Sequence, residues 1–241
     1  MNYKIQISKS LEELSEKFAQ LLIEKVNSSK NIFHLALSGG TTPKTIYEHL
    51  ATHHQSTIIW DKVKFYWGDE RCVAPNDAES NYKMAMESLL SELPISAGNI
   101  FRIKGEIDPY LAVDHYSSQV LQQIKIKNNY PRFDLIMLGV GEDGHTASIF
   151  PNQKELLHSK NISAIAVHPS SRQKRITLTG SVINNASNIV FIATGKNKSK
   201  IVDSIINQKD NYEDYPASFI RPIDGELYWL LDEHAASDYS D

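Results

Sequence analysis

The residues best suited to chemistry lie in Gly139-Val140-Gly141-Glu142-Asp143-Gly144-His145, a glycine-rich stretch directly after an apolar run. An imidazole two residues from a carboxylate can serve as a base near neutral pH, with the carboxylate orienting or polarising it. The stretch also satisfies the dinucleotide fingerprint G-x-G-x-x-G. A dinucleotide site nevertheless expects a ribose-holding acid about 20 residues on and an unbroken helix behind the glycines. This chain has no Asp or Glu from Leu156 to Val202, and Pro151 interrupts the helix, so no nicotinamide cofactor is expected.

Three further groups have the chemistry to hold an anion. In Ser38-Gly39-Gly40-Thr41-Thr42-Pro43 two glycines admit close backbone approach, the hydroxyls of Ser38, Thr41 and Thr42 add donors, and Pro43 suits the first turn of a helix capped by Thr42. The lysine and spacing of a nucleotide P-loop are missing. Trp67-Gly68-Asp69-Glu70-Arg71 places Asp69 beside Arg71, whose planar fork binds phosphate or carboxylate. Arg175 opens Ile176-Thr177-Leu178-Thr179, and Lys198 follows the turn Ala193-Thr194-Gly195, where a helix start would aim a dipole and an amine at an anion.

Other chemistries lack their residues. Cys72 has no base beside it to make a thiolate. No G-x-S-x-G elbow is present. Asp143 and His145 supply only two metal ligands, with no H-x-x-x-H or H-E-x-x-H partner for His145, so neither a metal nor any other cofactor is expected.

These groups need a scaffold that gathers loops, and the apolar pattern supplies one. A capped amphipathic helix is expected over residues 10–27, where Leu11, Leu14, Phe18, Leu21, Leu22 and Val26 share one face and Glu13 follows Ser10. Strands are expected at 32–37, 63–67, 100–103, 133–138, 189–193 and 227–231, and further helices at 79–90, 109–126 and 197–207. Alternating strands and helices imply an α/β fold: a doubly wound, mostly parallel, Rossmann-like sheet with helices on both faces, the whole chain 1–241 forming one domain. Such sheets bind ligands where strands end, which is where all four groups lie.

Composition agrees. The chain has 241 residues with 41% hydrophobic and 22% charged, an ordinary globular balance. No apolar run approaches the ~20 residues of a membrane helix, and the N-terminus has no export signal. One cysteine implies a reducing compartment, the cytoplasm being the simplest. A net charge of −4 argues against nucleic acid. Charge is nevertheless uneven: Leu156 to Val202 carries seven Lys and Arg and no acids, as a locally held small anion would require. The pattern carries no signal for oligomeric state.

Taken together, Leu35–Pro43, Trp67–Arg71 with Ser80-Asn81-Tyr82, Gly139–Pro151, Arg175–Thr179, Gly195–Lys198 and Trp229–Asp232 before Ala235-Ala236 resemble the 6-phosphogluconolactonase family, within the glucosamine/galactosamine-6-phosphate isomerase superfamily. The blocks run in family order over nearly the whole chain. The resemblance implies hydrolysis of 6-phosphoglucono-1,5-lactone in the oxidative pentose phosphate pathway, with a phosphorylated sugar lactone as the small-molecule partner. It implies a phosphate held by Ser38, Gly39, Gly40, Thr41 and Thr42 with Asp69, Arg175 and Lys198 lining the site. His145 would be the base that activates water, Asp143 its orienting partner and Arg71 the stabiliser of the oxyanion. The deaminase and isomerase branch carries a Glu five residues after the His, where this chain has Phe150. A deaminase-type enzyme and a non-catalytic sugar-phosphate sensor stay open as alternatives.

Overall fold

A computed structural model describes residues 3–239. In chain order the elements are β1 (Tyr3–Ser8), α1 (Leu11–Ser28), β2 (Phe33–Leu37), α2 (Thr41–His53), β3 (Val63–Trp67), β4 (Asp69–Arg71), α3 (Asn81–Ser88), α4 (Pro109–Gln123), β5 (Ile126–Lys127), β6 (Tyr130–Pro131), β7 (Leu135–Gly139), β8 (Ser163–Val167), β9 (Lys174–Leu178), α5 (Gly180–Ile183), β10 (Asn188–Ala193), α6 (Ser199–Asn207) and β11 (Glu226–Asp232). Six strands form one sheet in the order β1-β11-β10-β7-β2-β3, and every pairing in it is parallel.

The sequence explains this arrangement. Every residue of β10 and the five central residues of β11 are buried. Because successive side chains point to opposite faces, a run buried throughout must be covered on both. Phe191 stacks on its register partner Trp229, with ring centroids 4.3 Å apart, so the centre of the sheet is closed by aromatic contact as well as aliphatic packing. At the start of α1, Glu13 N donates to Ser10 Oγ at 3.1 Å, while the Glu13 carboxylate accepts from Lys9 N at 2.8 Å, one residue earlier than in the usual reciprocal cap. Asp108 caps α4 through Tyr110 N and Leu111 N, ahead of Pro109.

Chain direction across the sheet matters most for function. From β2 the chain steps outward to β3, whereas β7, on the other side of β2, leads away through β10 and β11. Between β2 and β7 the connections therefore part, leaving a crevice at the strands' carboxyl ends.

Several expectations need correction. A second, antiparallel sheet, β4-β9-β8, was not foreseen, nor was the edge strand β1. Gly68 is the corner between the two sheets: its N donates to Leu37 O at 2.9 Å, and its O accepts from Leu178 N at 2.8 Å. The strand expected at 100–103 is reduced to one bridge, Phe65 to Ile100. The helix expected at 79–90 runs only over Asn81–Ser88, because Ser80 Oγ already caps it by accepting from Lys83 N. Gly40, not Thr42, caps α2, and the Thr42 hydroxyl turns aside to Thr194 Oγ1 at 2.7 Å.

Candidate active site

The crevice between β2 and β7 holds a polar cleft of about 200 Å³. That is below the ~300 Å³ where pockets for drug-sized ligands begin, and suits a small polar ligand. Of the expected residues, Ser38, Gly39, Asp69, Arg71, His145, Arg175 and Lys198 line it. Gly40, Thr41 and Thr42 lie just behind as the first turn of α2, and Asp143 reaches the cleft through His145.

The turn after β2 is held from below. The buried Tyr47 hydroxyl donates to Ser38 O at 2.8 Å and accepts from Ser38 N at 3.0 Å. A Cβ on Gly39 would fall 1.9 Å from Asn81 Oδ1, so any other residue there would displace the Asn81 side chain. Gly40 takes φ +115°, a conformation that side chains resist. The Thr42–Thr194 hydrogen bond ties this turn to the one after β10. There Gly195 N donates to both oxygens of Asp232 at 3.0 Å, fixing the turn that presents Lys198. Burial draws the Lys198 amine below its usual pKa, against the pull of Glu142 and Asp143.

The loop after β7 presents the imidazole. His145 Nδ1 lies 2.6 Å from Asp143 Oδ1, and the same oxygen accepts from His145 N at 3.1 Å. A ring donating Nδ1–H to a carboxylate keeps the Nε2 lone pair for a reacting proton. Burial pushes the Asp143 carboxyl up, but hydrogen bonding to His145 and its charge outweigh burial and hold it below the usual range. A Cβ on Gly141 would strike His145 Nδ1 at 2.1 Å, so the dyad depends on that glycine. Ala147, on the cleft wall, takes φ +47°.

The small antiparallel sheet supplies the cations. Arg71 on β4 and Arg175 on β9 are register partners, and like charges placed opposite each other repel. Both Nε atoms are buried and, among the described residues, neither has a hydrogen-bond partner. Burial, together with the Arg71 charge, draws the Arg175 guanidinium below its usual pKa despite nearby acids. Two adjacent guanidiniums with unused donors on one cleft make a strong site for an anion.

Buried acids hold this wall in place. Glu70 accepts from Arg71 N, Asn81 N, Tyr82 N and Ser80 Oγ, at 2.7 to 3.0 Å, and so clamps β4 to the start of α3. Burial raises its pKa in spite of those donors. Asp69 Oδ2 accepts from Ser148 Oγ at 2.5 Å, joining the wall to the His145 loop. Asn81 lines the cleft and donates to Asp69 O at 3.0 Å. Its role was missed because nothing in Ser80-Asn81-Tyr82 distinguishes a cap from a cleft residue. Phe150 is fully buried against both His145, at 5.0 Å between centroids, and the Arg175 guanidinium, 5.7 Å from the ring centre.

The chain as a whole is similar to known proteins. The family model described as glucosamine-6-phosphate isomerases/6-phosphogluconolactonase covers residues 8–229. A 6-phosphogluconolactonase of Treponema pallidum (strain Nichols) is 38% identical over 202 residues, 83% of this chain and 84% of the relative. Another from Synechocystis sp. is 34% identical over 237 residues, 98% and 94% of the two chains. Among solved structures, the 6-phosphogluconolactonase of Trypanosoma brucei superposes with a TM-score of 0.90 at 27% identity, covering 99% of each chain.

Proposed function

The chain belongs to the family of glucosamine-6-phosphate isomerases and 6-phosphogluconolactonases, and from that premise we propose that it hydrolyses 6-phosphoglucono-1,5-lactone to 6-phosphogluconate, the ring-opening step of the oxidative pentose phosphate pathway. The observation that carries this reading is the Asp143–His145 dyad opening onto the same cleft as the two unpartnered arginine Nε donors.

A lactone carbonyl is already electrophilic, so the reaction requires an activated water, a counter-charge for the oxyanion and an anchor for the phosphate. His145 Nε2 takes a proton from the water whose oxygen bonds to C1. As the tetrahedral intermediate collapses, the bond from C1 to the ring oxygen breaks and the imidazolium returns its proton to that oxygen. Asp143 fixes the ring's tautomer and supports its charge. Arg71 stabilises the oxyanion, and Arg175, Lys198 and the turn Ser38–Thr42 hold the phosphate. Phe150 supports hydrolysis over the deaminase and isomerase chemistry, since a buried phenyl ring beside His145 has no proton to exchange.

Among the described residues no helix is long and apolar enough to cross a membrane. The single half-buried Cys72 suits a reducing compartment such as the cytoplasm. The test is the decay of freshly generated lactone with and without purified protein. Acceleration well above the spontaneous rate is expected. An unchanged decay rate with phosphogluconate still bound would overturn the hydrolase and leave a sugar-phosphate sensor.

A further inference from the structure

A second group of ligand-type side chains lies away from the cleft, between α1 and α2. Glu16 on α1 meets His49 on α2 and His54, the residue that ends α2. Both imidazole Nε2 atoms lie 2.9 Å from the same oxygen, Glu16 Oε2. Among the described residues this is the one cluster of three or more histidine, cysteine or carboxylate groups whose ligand atoms converge, all lying within 4.8 Å of one another.

The arrangement has the parts of a built metal site. The histidine side chains are 11% exposed and the carboxylate 40%, so the nitrogens are fixed while the oxygen side stays open to solvent and to an entering ion. Behind the ligands, Thr57 Oγ1 lies 3.1 Å from His54 Nδ1, where it can hold the ring with Nε2 presented as a donor pair. Gln20 Nε2 steadies the other carboxylate oxygen at 3.2 Å. Bonds of ~2.0–2.1 Å in a tetrahedral site put ligand atoms about 3.3 Å apart, so each nitrogen-to-oxygen spacing need open by only about 0.4 Å, and the two nitrogens lie within 4.8 Å of each other. The site also sits at the carbonyl end of α2, which favours a cation.

We propose that Glu16, His49 and His54 bind one divalent transition-metal ion of the zinc type, completed by water, which clamps α1 to α2. Two imidazoles with one carboxylate suit zinc or cobalt better than the all-oxygen shells of magnesium or calcium. The role is structural. α2 starts beside the cleft and runs through 13 residues to this point, about 20 Å at 1.5 Å per residue.

The test uses the untagged full-length chain, stripped with chelator and titrated with zinc and separately with cobalt(II). One equivalent is expected to bind, cobalt giving the intense visible absorption of a four-coordinate site. Zinc at a hundredfold excess over its dissociation constant is expected to raise Tm by about 5 °C or more. A His49→Gln/His54→Gln variant keeps side chains that can hydrogen-bond to Glu16 but removes both nitrogen ligands. It should lose the cobalt band and the zinc-dependent Tm rise while lactone hydrolysis persists. His53→Ala and His145→Ala should keep both signals. If the double variant does not fold, Glu16→Gln answers the same question through at least a tenfold weaker cobalt affinity. The proposal is overturned by the absence of a bound equivalent, by cobalt absorption that survives loss of both histidines or is unchanged in Glu16→Gln, or by absorption that vanishes with His145.

Discussion

Two histidines, each with an aspartate for a neighbour, sit at opposite ends of the sheet. At the amino end His34 is the second residue of β2, and Asp134, just before β7, accepts from its backbone N at 2.7 Å. The His34 ring is left with the Tyr66 hydroxyl, 3.1 Å from Nδ1. Burial, aided by the Lys64 charge, drives its pKa down to about 4, so the ring is neutral. At the carboxyl end Asp143 is directed to the ring of His145 itself. One residue pair thus gives two outcomes. A carboxylate on the imidazole supports the imidazolium that a base must become, whereas a carboxylate on the backbone braces a strand and leaves the ring to its surroundings.

The largest expected effect separates the two ends directly. His145→Ala should lower kcat by about 10²–10⁴, while His34→Gln should leave kcat within about twofold; steady-state rates on fresh lactone decide it. Equal losses would sink the distinction.

Asp143→Asn sharpens the account of the dyad. An amide donating to Nδ1 would leave the proton on Nε2, the wrong tautomer, so kcat should fall by about 10²–10³ with KM nearly unchanged. A KM effect alone would make Asp143 a substrate contact.

Smaller still is the loss from the facing arginines. Arg175→Ala should raise KM by about 10–10² with little change in kcat, as for a charged contact made equally in ground and transition states. A fall in kcat at constant KM would exchange the roles assigned to Arg175 and Arg71.

The smallest effect belongs to His34 and is one of stability. Its folded pKa is depressed to about 4 from an ordinary 6.5, so its neutral burial stabilises fully above about pH 6.5 and progressively less as pH falls toward 4. His34→Gln should flatten the Tm-against-pH curve in that window, changing it by about 2–4 °C. A variant whose curve parallels the parent's would mean His34 is not held neutral by the fold.

Much of this was readable before folding. The apolar runs of β2, β3, β10 and β11 marked their strands within a residue or so, because buried parallel strands must be apolar on both faces. Asp143 and His145 are two residues apart, so their hydrogen bond is local. Less was readable where the pattern is weak. β1 lies at an edge, half exposed, with Lys4 and Gln6 interrupting its apolar residues. β4 has three residues, too few for any periodicity. Thr42 has the chemistry of a cap, but a partner from another turn, Thr194, claims its hydroxyl.

By itself, then, the sequence determined what neighbouring residues decide: the starts of α1 and α4, the buried strands, the glycine turns and the dyad, all governed by short-range sterics and hydrogen bonding. Only the tertiary structure decided what distant segments share. The strands holding Arg71 and Arg175 meet in one register, Asn81 reaches back to Asp69, and Glu16 meets His49 and His54 across two helices. The physical reason is that these contacts are selected by packing of the whole core. Chain distance says little about that packing, and a one-residue shift of a strand would send each of its side chains to the opposite face.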